Sequence, residues 1–544
     1  MNLRLFATAL VIACLAGCST LPPGADAPRI RSVALDHPEA SALGQDVERL
    51  AQAHPGVSGF RLLSTGADGF LARVQMVRAA QRSLDLQYFI LRGDATGRLL
   101  AQAVIDAADR GVRVRVLIDD GETLDGDQQI LAINAHPNVQ VRVFNPFRYR
   151  GHVQALRAVE FMLDASRLDY RMHNKLFIAD NAVALIGGRN VGDEYFQVDP
   201  ASQFADDDVF AAGPVVRELS GAFDVFWNSA LAIPAEALGV ASAGATGDAP
   251  PMRRLPEPPP LAAPADAGPG APGAPSAAAV VSDLARRIPS GEPLRAMTSG
   301  QLPLAWAPAQ LVYDSPDKKS VEQGWMVGRL MRRPVARAVQ AVQSELLMIT
   351  PYLIPGQEGM RMFEDLRARH VRVRLLTNSL ESSTQLLAQA GYMRYRAPLL
   401  SMGVDLFEIR SLLGDARGSG ESPDMSRYGH YSLHAKLFVF DRTRLFIGSM
   451  NFDQRSMHLN TEIGLIIDSP ELALQMVRRF EAMVRPPNAY EVVIHDTRPG
   501  DAPALAWRTE ENARPVEHLV EPARSAAQRG AATLLTRLPI DREL

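Results

Sequence analysis

Alternating apolar and polar positions recur in two separated regions of the chain. Val112-Arg-Val-Arg-Val-Leu-Ile-Asp-Asp120 reads as a strand with every second side chain on one face. Val371-Arg-Val-Arg-Leu-Leu-Thr-Asn-Ser379 repeats it at an offset of 371 − 112 = 259. A helical stretch precedes each, Ala101 to Arg110 and Met360 to His370. An apolar strand precedes each helix, Leu84 to Leu91 and Leu346 to Ile354, and Val139 to Phe144 matches Val404 to Ile409 as a further strand pair. The arginines interleaved at 113 and 115 read as a solvated strand face. Strands alternating with helices predict α/β units with a mainly parallel sheet, and the duplication predicts two homologous halves in one chain.

Between the halves the periodicity stops. Pro234 to Ala279 is dominated by Ala, Pro and Gly, cannot bury enough apolar surface to offset chain entropy, and reads as a disordered linker. At the N-terminus a short basic start precedes an apolar run, Leu5 to Leu15, too short to span a bilayer and suited to a secretory signal. Leu15-Ala16-Gly17-Cys18 resembles a bacterial lipobox, which implies cleavage before Cys18, lipid attachment there, and Ser19 favouring the outer over the inner membrane of an envelope protein facing the periplasm. The expected division is a signal peptide at 1–17, a flexible tether at 18–40, a first half at 41–233, a linker at 234–295, a second half at 296–495 and an extension at 496–544.

Composition narrows the classes. The 544 residues are 47% hydrophobic, enough for a full core. The two cysteines are Cys14 and Cys18, and loss of Cys14 with the signal leaves no disulfide pair. A formal net charge of −4 gives no global basic field of the kind that holds nucleic acid non-specifically, so none is expected as a partner, although a local basic cleft stays open.

The chemistry sits in a second repeat. His173-Asn-Lys175-Leu-Phe-Ile-Ala-Asp180 matches His434-Ala-Lys436-Leu-Phe-Val-Phe-Asp441 at 434 − 173 = 261, and Gly187-Gly188-Arg189-Asn190 matches Gly448-Ser449-Met450-Asn451 at 451 − 190 = 261. With 11 histidines in 544 residues, chance does not compete. His and Lys two residues apart on a strand share a face. A tight hairpin after each Asp would fold Gly188 and Asn190 back beside His173, and Ser449 and Asn451 beside His434. Each half then offers an imidazole, an ammonium, a carboxamide and backbone N–H groups, a set suited to an anionic phosphodiester. Each imidazole needs a partner to fix its tautomer. Asp206 is the candidate in the first half, with Asp207 and Asp208 as rivals, and Glu462 in the second; both lie eight residues before an aligned proline, 214 − 206 = 8 and 470 − 462 = 8.

These paired segments resemble the two HKD motifs of the phospholipase D superfamily, intact here across His173, Lys175, Asp180, His434, Lys436 and Asp441. The resemblance implies a pseudo-dimer of two phospholipase D-like α/β halves sharing one active site. It implies His173 as the nucleophile forming a phosphohistidine, His434 as acid and base, phosphate held by Lys175, Lys436, Asn190 and Asn451, and no metal or other cofactor. Gly187-Gly-Arg-Asn-Val-Gly-Asp-Glu-Tyr-Phe196, Asn451-Phe-Asp-Gln-Arg-Ser456 and Arg537-Leu-Pro-Ile-Asp-Arg-Glu-Leu544 resemble bacterial cardiolipin synthases of the C type, which join phosphatidyl groups from phosphatidylglycerol with phosphatidylethanolamine as co-substrate. Gly188 departs from the Ser of many superfamily members. Hydrolysis to phosphatidic acid uses the same residues; a nuclease and an inactive scaffold are the other readings. Asp180 and Asp441 can instead serve mainly as hairpin or salt-bridge residues, and Arg189 and Arg455 can hold phosphate or pair with Asp193 and Asp453. Tyr88 and Tyr352, at an offset of 352 − 88 = 264, can line a cleft or pack in the core, and Asp314 to Lys319 can shape a cleft loop.

Overall fold

The two repeats fold into two mixed sheets with matching strand orders. The computed structural model describes residues 24–122, 133–150, 153–199, 202–238, 277–287, 294–413, 430–496 and 503–538, together with Pro22. Cys18, the signal segment, most of the Ala/Pro stretch and the final residues lie outside these. The first sheet runs Ala305–Ala307, Ser58–Leu63, Asp208–Ala212, Val183–Gly187, Leu176–Ala179, Ser83–Tyr88, Arg113–Asp119, Val139–Phe144, Ala232–Pro234. The second repeats this order from its second strand on: Ala309–Tyr313, Ile463–Ile467, Arg444–Gly448, Leu437–Phe440, Glu345–Ile349, Arg372–Asn378, Asp405–Ile409, Ala489–Asp496. Ala504–Glu511 and Arg514–His518 then extend it.

The expected mainly parallel sheet is corrected. In each half only three strands are mutually parallel, those joined through helices. The motif strands pair antiparallel with their neighbours, because a two-residue turn can connect only antiparallel strands. The register also corrects the tyrosine alignment. Leu84 pairs with Ala179 and Leu346 with Phe440, offsets of 346 − 84 = 262 and 440 − 179 = 261, so Tyr88 matches Thr350 (350 − 88 = 262). Tyr88 is buried and hydrogen-bonded by Arg73 at 2.9 Å, whereas Tyr352 lines the cleft described below.

One apolar core belongs to both halves. Phe60, Leu176 and Ile186 of the first sheet and Leu347, Leu437 and Ile447 of the second pack in a single cluster, joined by Phe223 from helix Pro214–Trp227 and Phe480 from helix Pro470–Met483. A separate cluster backs each sheet on its outer side. This is the expected pseudo-dimer, with its faces buried against each other.

Three further sequence expectations fail. The residues read as a flexible tether are strapped to the first half: Arg115 donates to the Ser32 carbonyl, Arg142 to Ile30, and the Ala34 N–H to Asp224. Arg115 is not on a solvated face but fully buried, paired with Asp85 at 2.6 Å and Asp224 at 2.8 Å. The described part of the linker is folded, as helix Ala277–Arg287 and helix Leu294–Thr298, whose Leu284, Leu294 and Met297 enter the first-half core. Apolar residues spaced at three to four positions drive this docking.

Candidate active site

Each motif hairpin closes through residues with left-handed backbone. Asp180 and Asn181 both have φ of 53°, and Asp441 and Arg442 have 50° and 58°, the geometry of a two-residue turn matched to strand twist. The carboxylates serve that turn. Asp180 accepts from the N–H groups of Gln81, Arg82 and Ser83, and Asp441 from those of Gln343, Ser344 and Glu345. Both stand at the far end of their strands from the histidines, so their expected direct role is corrected to a structural one.

His173 and His434 come together with Asn190 and Asn451 in the lining of one cleft of about 680 Å³. A larger cavity of about 790 Å³, between Gln75, Arg110 and Arg295, holds no motif residue; the reacting groups converge in the smaller one.

The carboxylate partners are exchanged between halves. His173 Nδ1 lies 3.0 Å from Glu462 Oε2, and His434 Nδ1 lies 2.5 Å from Asp206 Oδ2. The expectation that Asp206 serves its own half and Glu462 its own is therefore corrected. The cause is strand pairing across the pseudo-dimer. His430 to Leu433 runs parallel to Ser202 to Ala205, pairing Leu433 with Ala205, so the next residues in register are His434 and Asp206. A parallel bridge between Met172 and Thr461 likewise sets His173 beside Glu462. The rivals of Asp206 have other partners: Asp207 pairs with Arg479 at 3.1 Å and Asp208 with Arg73 at 2.8 Å.

Electrostatics follow from burial. Burial pulls His173 down to about 4, opposed by Glu462 and reinforced by Lys175. Burial, then the Lys436 ammonium, brings His434 down to about 3 against Asp206. Burial alone would raise Asp206, yet His434, Lys436 and Arg189 bring it down to about 2, and His173 and Lys175 likewise hold Glu462 below the carboxylate range. Both acids are thus anions and accept only, so each imidazole carries its proton on Nδ1 and presents a bare Nε2. Lys436 Nζ lies 3.0 Å from His434 Nδ1 but cannot donate to a nitrogen already protonated; it donates to the His434 carbonyl, as Lys175 does to that of His173 at 2.6 Å. Burial pushes both ammoniums below the usual lysine value, Lys436 to about 8.

Two expected phosphate contacts move to supporting roles. The Gly188 N–H is used by the Asp207 carbonyl, and a Cβ at this position would lie 2.1 Å from Asp206 Oδ1, which accounts for glycine here. Ser449 donates its hydroxyl to Glu462 at 2.5 Å and its N–H to Ile463, bracing the carboxylate that holds His173. Asn190 accepts from the Ile90 N–H and donates to the Tyr195 hydroxyl, while Asn451 Oδ1 is buried in the cleft with no protein partner. Arg189 is buried and donates to the carbonyls of Leu63, Ser64 and Asp206, so it positions the Asp206 backbone; Arg455 pairs with Asp169 at 2.6 Å. Asp314 accepts from the Glu462 N–H at 3.0 Å and pairs with Lys318, fastening the polar turn beneath the cleft.

Sequence reasoning missed the aromatic walls. Phe204 stacks on His434 with centroids 5.2 Å apart, Tyr195 meets that ring edge-on at 5.2 Å, and Phe89 meets His173 at 5.1 Å. The signal for Phe204 was present, because residues 204 and 206 share a strand face.

A family model described as "Cardiolipin synthase, PLD-like domain" matches residues 74–227 and 335–484, two copies displaced by 335 − 74 = 261, the displacement of the motifs themselves. The chain belongs to this family. It is a phospholipase D-type phosphatidyltransferase. Cardiolipin synthase C of Escherichia coli K12 is 35% identical over 80% of this chain and 87% of its own length. An uncharacterized protein of Helicobacter pylori 26695 is 31% identical over 80% of this chain and 81% of its own. Among solved structures, the phosphatidylserine synthase of Haemophilus influenzae overlays with a TM-score of 0.47 at 13% identity, covering 81% of this chain and 91% of that one.

Proposed function

We propose that this enzyme makes cardiolipin by transferring a phosphatidyl group from phosphatidylglycerol, or from phosphatidylethanolamine as co-substrate, to the free glycerol hydroxyl of a second phosphatidylglycerol, releasing glycerol or ethanolamine. The observation that carries the reading is the crossed pairing of two neutral imidazoles with carboxylates at one cleft. His173 Nε2 attacks phosphorus; the P–O bond to the departing glycerol or ethanolamine breaks as His434 passes that oxygen a proton. In the second half-reaction His434 takes the proton of the incoming hydroxyl, a new P–O bond forms and the N–P bond to His173 breaks. A phosphodiester anion in the cleft raises both imidazoles, and His434 gains the proton it must deliver. Lys175, Lys436, Asn190 and Asn451 offer donors to the non-bridging oxygens.

Labelled phosphatidylglycerol separates the outcomes on a thin-layer plate. Labelled cardiolipin is expected from the wild type and none from His173→Ala or His434→Ala; phosphatidic acid alone would make the enzyme a hydrolase. Attachment through a lipid on Cys18, with the enzyme facing the periplasm from the outer membrane, belongs to the same proposal. Radiolabelled palmitate is expected to enter the wild type and not Cys18→Ala.

A further inference from the structure

Helix Gln154–Leu163 is oriented against the usual rule. A surface helix ordinarily turns its apolar stripe inward. Here Leu156, Val159 and Leu163, spaced at three and four positions, face outward with Met162, and Met162 and Leu163 are 71% and 81% exposed. The polar stripe faces the protein instead. Arg157 is only 6% exposed, donating to the Asp120 carbonyl at 2.6 Å and standing 4.1 Å over the Phe147 ring, and Glu160 accepts from the N–H groups of Arg148 and Tyr149. The inward face is held by specific hydrogen bonds, so the outward apolar face is fixed in place.

A second apolar surface adjoins it from the other half. Trp325 is 76% exposed and Met326 50% exposed, in a turn whose N–H groups donate to the Ser320 carbonyl. Lys319, one residue earlier, reaches across to the Ser166 carbonyl at 2.6 Å, tying this turn to the segment that follows the helix. Lys319 and Arg329 flank Trp325 in sequence with positive charge, Arg329 exposed and standing 4.9 Å over the Tyr313 ring. The surface also borders the site: Arg157 binds Asp120, two residues before Glu122, which lines the cleft.

We propose that helix Gln154–Leu163 and the Trp325–Met326 turn form one docking face for an anionic phospholipid bilayer, seating the cleft mouth at the lipid headgroups. Apolar side chains enter the acyl boundary, Trp325 sits at the interface where indoles partition, and Lys319 and Arg329 meet lipid phosphates. A second copy of the chain is less suited, because like cations flanking both faces would meet. The proposal rests on the reading that the substrates are bilayer lipids, and it is independent of any lipid on Cys18, which would tether the chain without burying Trp325.

The test reads Trp325 directly. The full-length protein is mixed with vesicles of equal parts phosphatidylglycerol and phosphatidylcholine carrying acyl-chain bromines, and the emission of Trp325→Phe is subtracted from that of the wild type. The difference spectrum is expected to shift to the blue and to be quenched by about half or more, and Met162→Glu with Leu163→Glu is expected to reduce the quenching at least about threefold. A Trp325 emission that stays water-like on vesicles overturns the proposal. So does a spectrum already blue-shifted in lipid-free buffer at a dimer mass, which would assign the face to a second copy. Turnover of detergent-dispersed phosphatidylglycerol is followed in parallel. Turnover without quenching rejects the docking face and leaves the proposed reaction standing; quenching without turnover does the reverse.

Discussion

His434 depends on a carboxylate from the opposite half, and Asp206→Asn removes that charge while keeping a hydrogen-bond acceptor within reach. Without the anion the imidazolium is harder to form, so protonation of the departing alcohol fails, with a loss on the order of 10³–10⁴-fold in kcat as in other carboxylate-assisted histidines. A substrate whose leaving group needs no proton, such as phosphatidyl-p-nitrophenol, should recover the first step in Asp206→Asn but not the second. Stopped flow is then expected to show a burst of one nitrophenolate per site followed by slow turnover. Glu462→Gln, acting on the attacking His173, should show neither rescue nor burst; a burst in that variant instead would reverse the assigned roles. The depressed imidazoles supply a second prediction. Both imidazoles are neutral at pH 6, being drawn down to about 4 and about 3. An anion raises them, because it favours the charged form. Dimethyl phosphate, an anion throughout pH 5–8, should therefore bind with uptake of protons, not release. Calorimetry in buffers of differing ionisation enthalpy measures the sign, and His434→Ala should abolish most of the uptake.

At the scale of elements, the aspartates of the two motifs hold hairpins, and the variants that test this act on stability. Asp180 is 2% exposed and satisfies three N–H groups at the start of strand Ser83–Tyr88. Asp180→Ala leaves the buried Ser83 N–H without its acceptor, and those of Gln81 and Arg82 only partly open to water, and should cost about 2 kcal/mol of unfolding free energy. Asp441→Ala, at a more solvated turn whose freed N–H groups can turn to water, should cost about 1 kcal/mol. Urea melts give both numbers, and kcat should stay within about twofold in each, as expected of residues remote from the cleft. The motif hairpins and the strand–helix–strand units were readable because their signals are local: a period of two, a turn that accepts left-handed residues, and a displacement of 261 kept from His to Asn. Exchange of Asp206 and Glu462 between halves was not readable. It is set by which chain end lies beside which strand once the halves dock, and Ser202–Ala205 meets His430–Leu433 across more than two hundred residues. Arg115 and the strap at residues 29–37 escaped for a related reason. A charged residue in an alternating pattern marks solvent only until a distant carboxylate, here Asp224 of helix Pro214–Trp227, covers it.

For the whole molecule, the question is whether two halves with one site behave as one cooperative body, and the packing answers it physically. The central core takes apolar side chains from both sheets, so separating the halves would expose Phe60, Ile186, Leu437 and Ile447 together to water, several kcal/mol for even these four. Strand Ala305–Ala307, which follows the Ala/Pro stretch in sequence, completes the edge of the first sheet beside Ser58–Phe60. Arg479 of the second half pairs with Asp207 of the first across the interface, and removing either one alone would leave the other charge buried without this partner. A covalent link through residues 239–276 adds little to contacts of this kind. A protease site inserted there and cut is expected to leave the two fragments co-eluting at the mass of the intact chain, with kcat within about twofold, since neither the imidazole–carboxylate pairs nor the core is touched. Arg479→Ala combined with the cut should then weaken the assembly, because Asp207, left without this partner, sits in the interface itself. Fragments that part on a sizing column after cutting alone would mean that the linker, and not the shared core, holds His173 against Glu462.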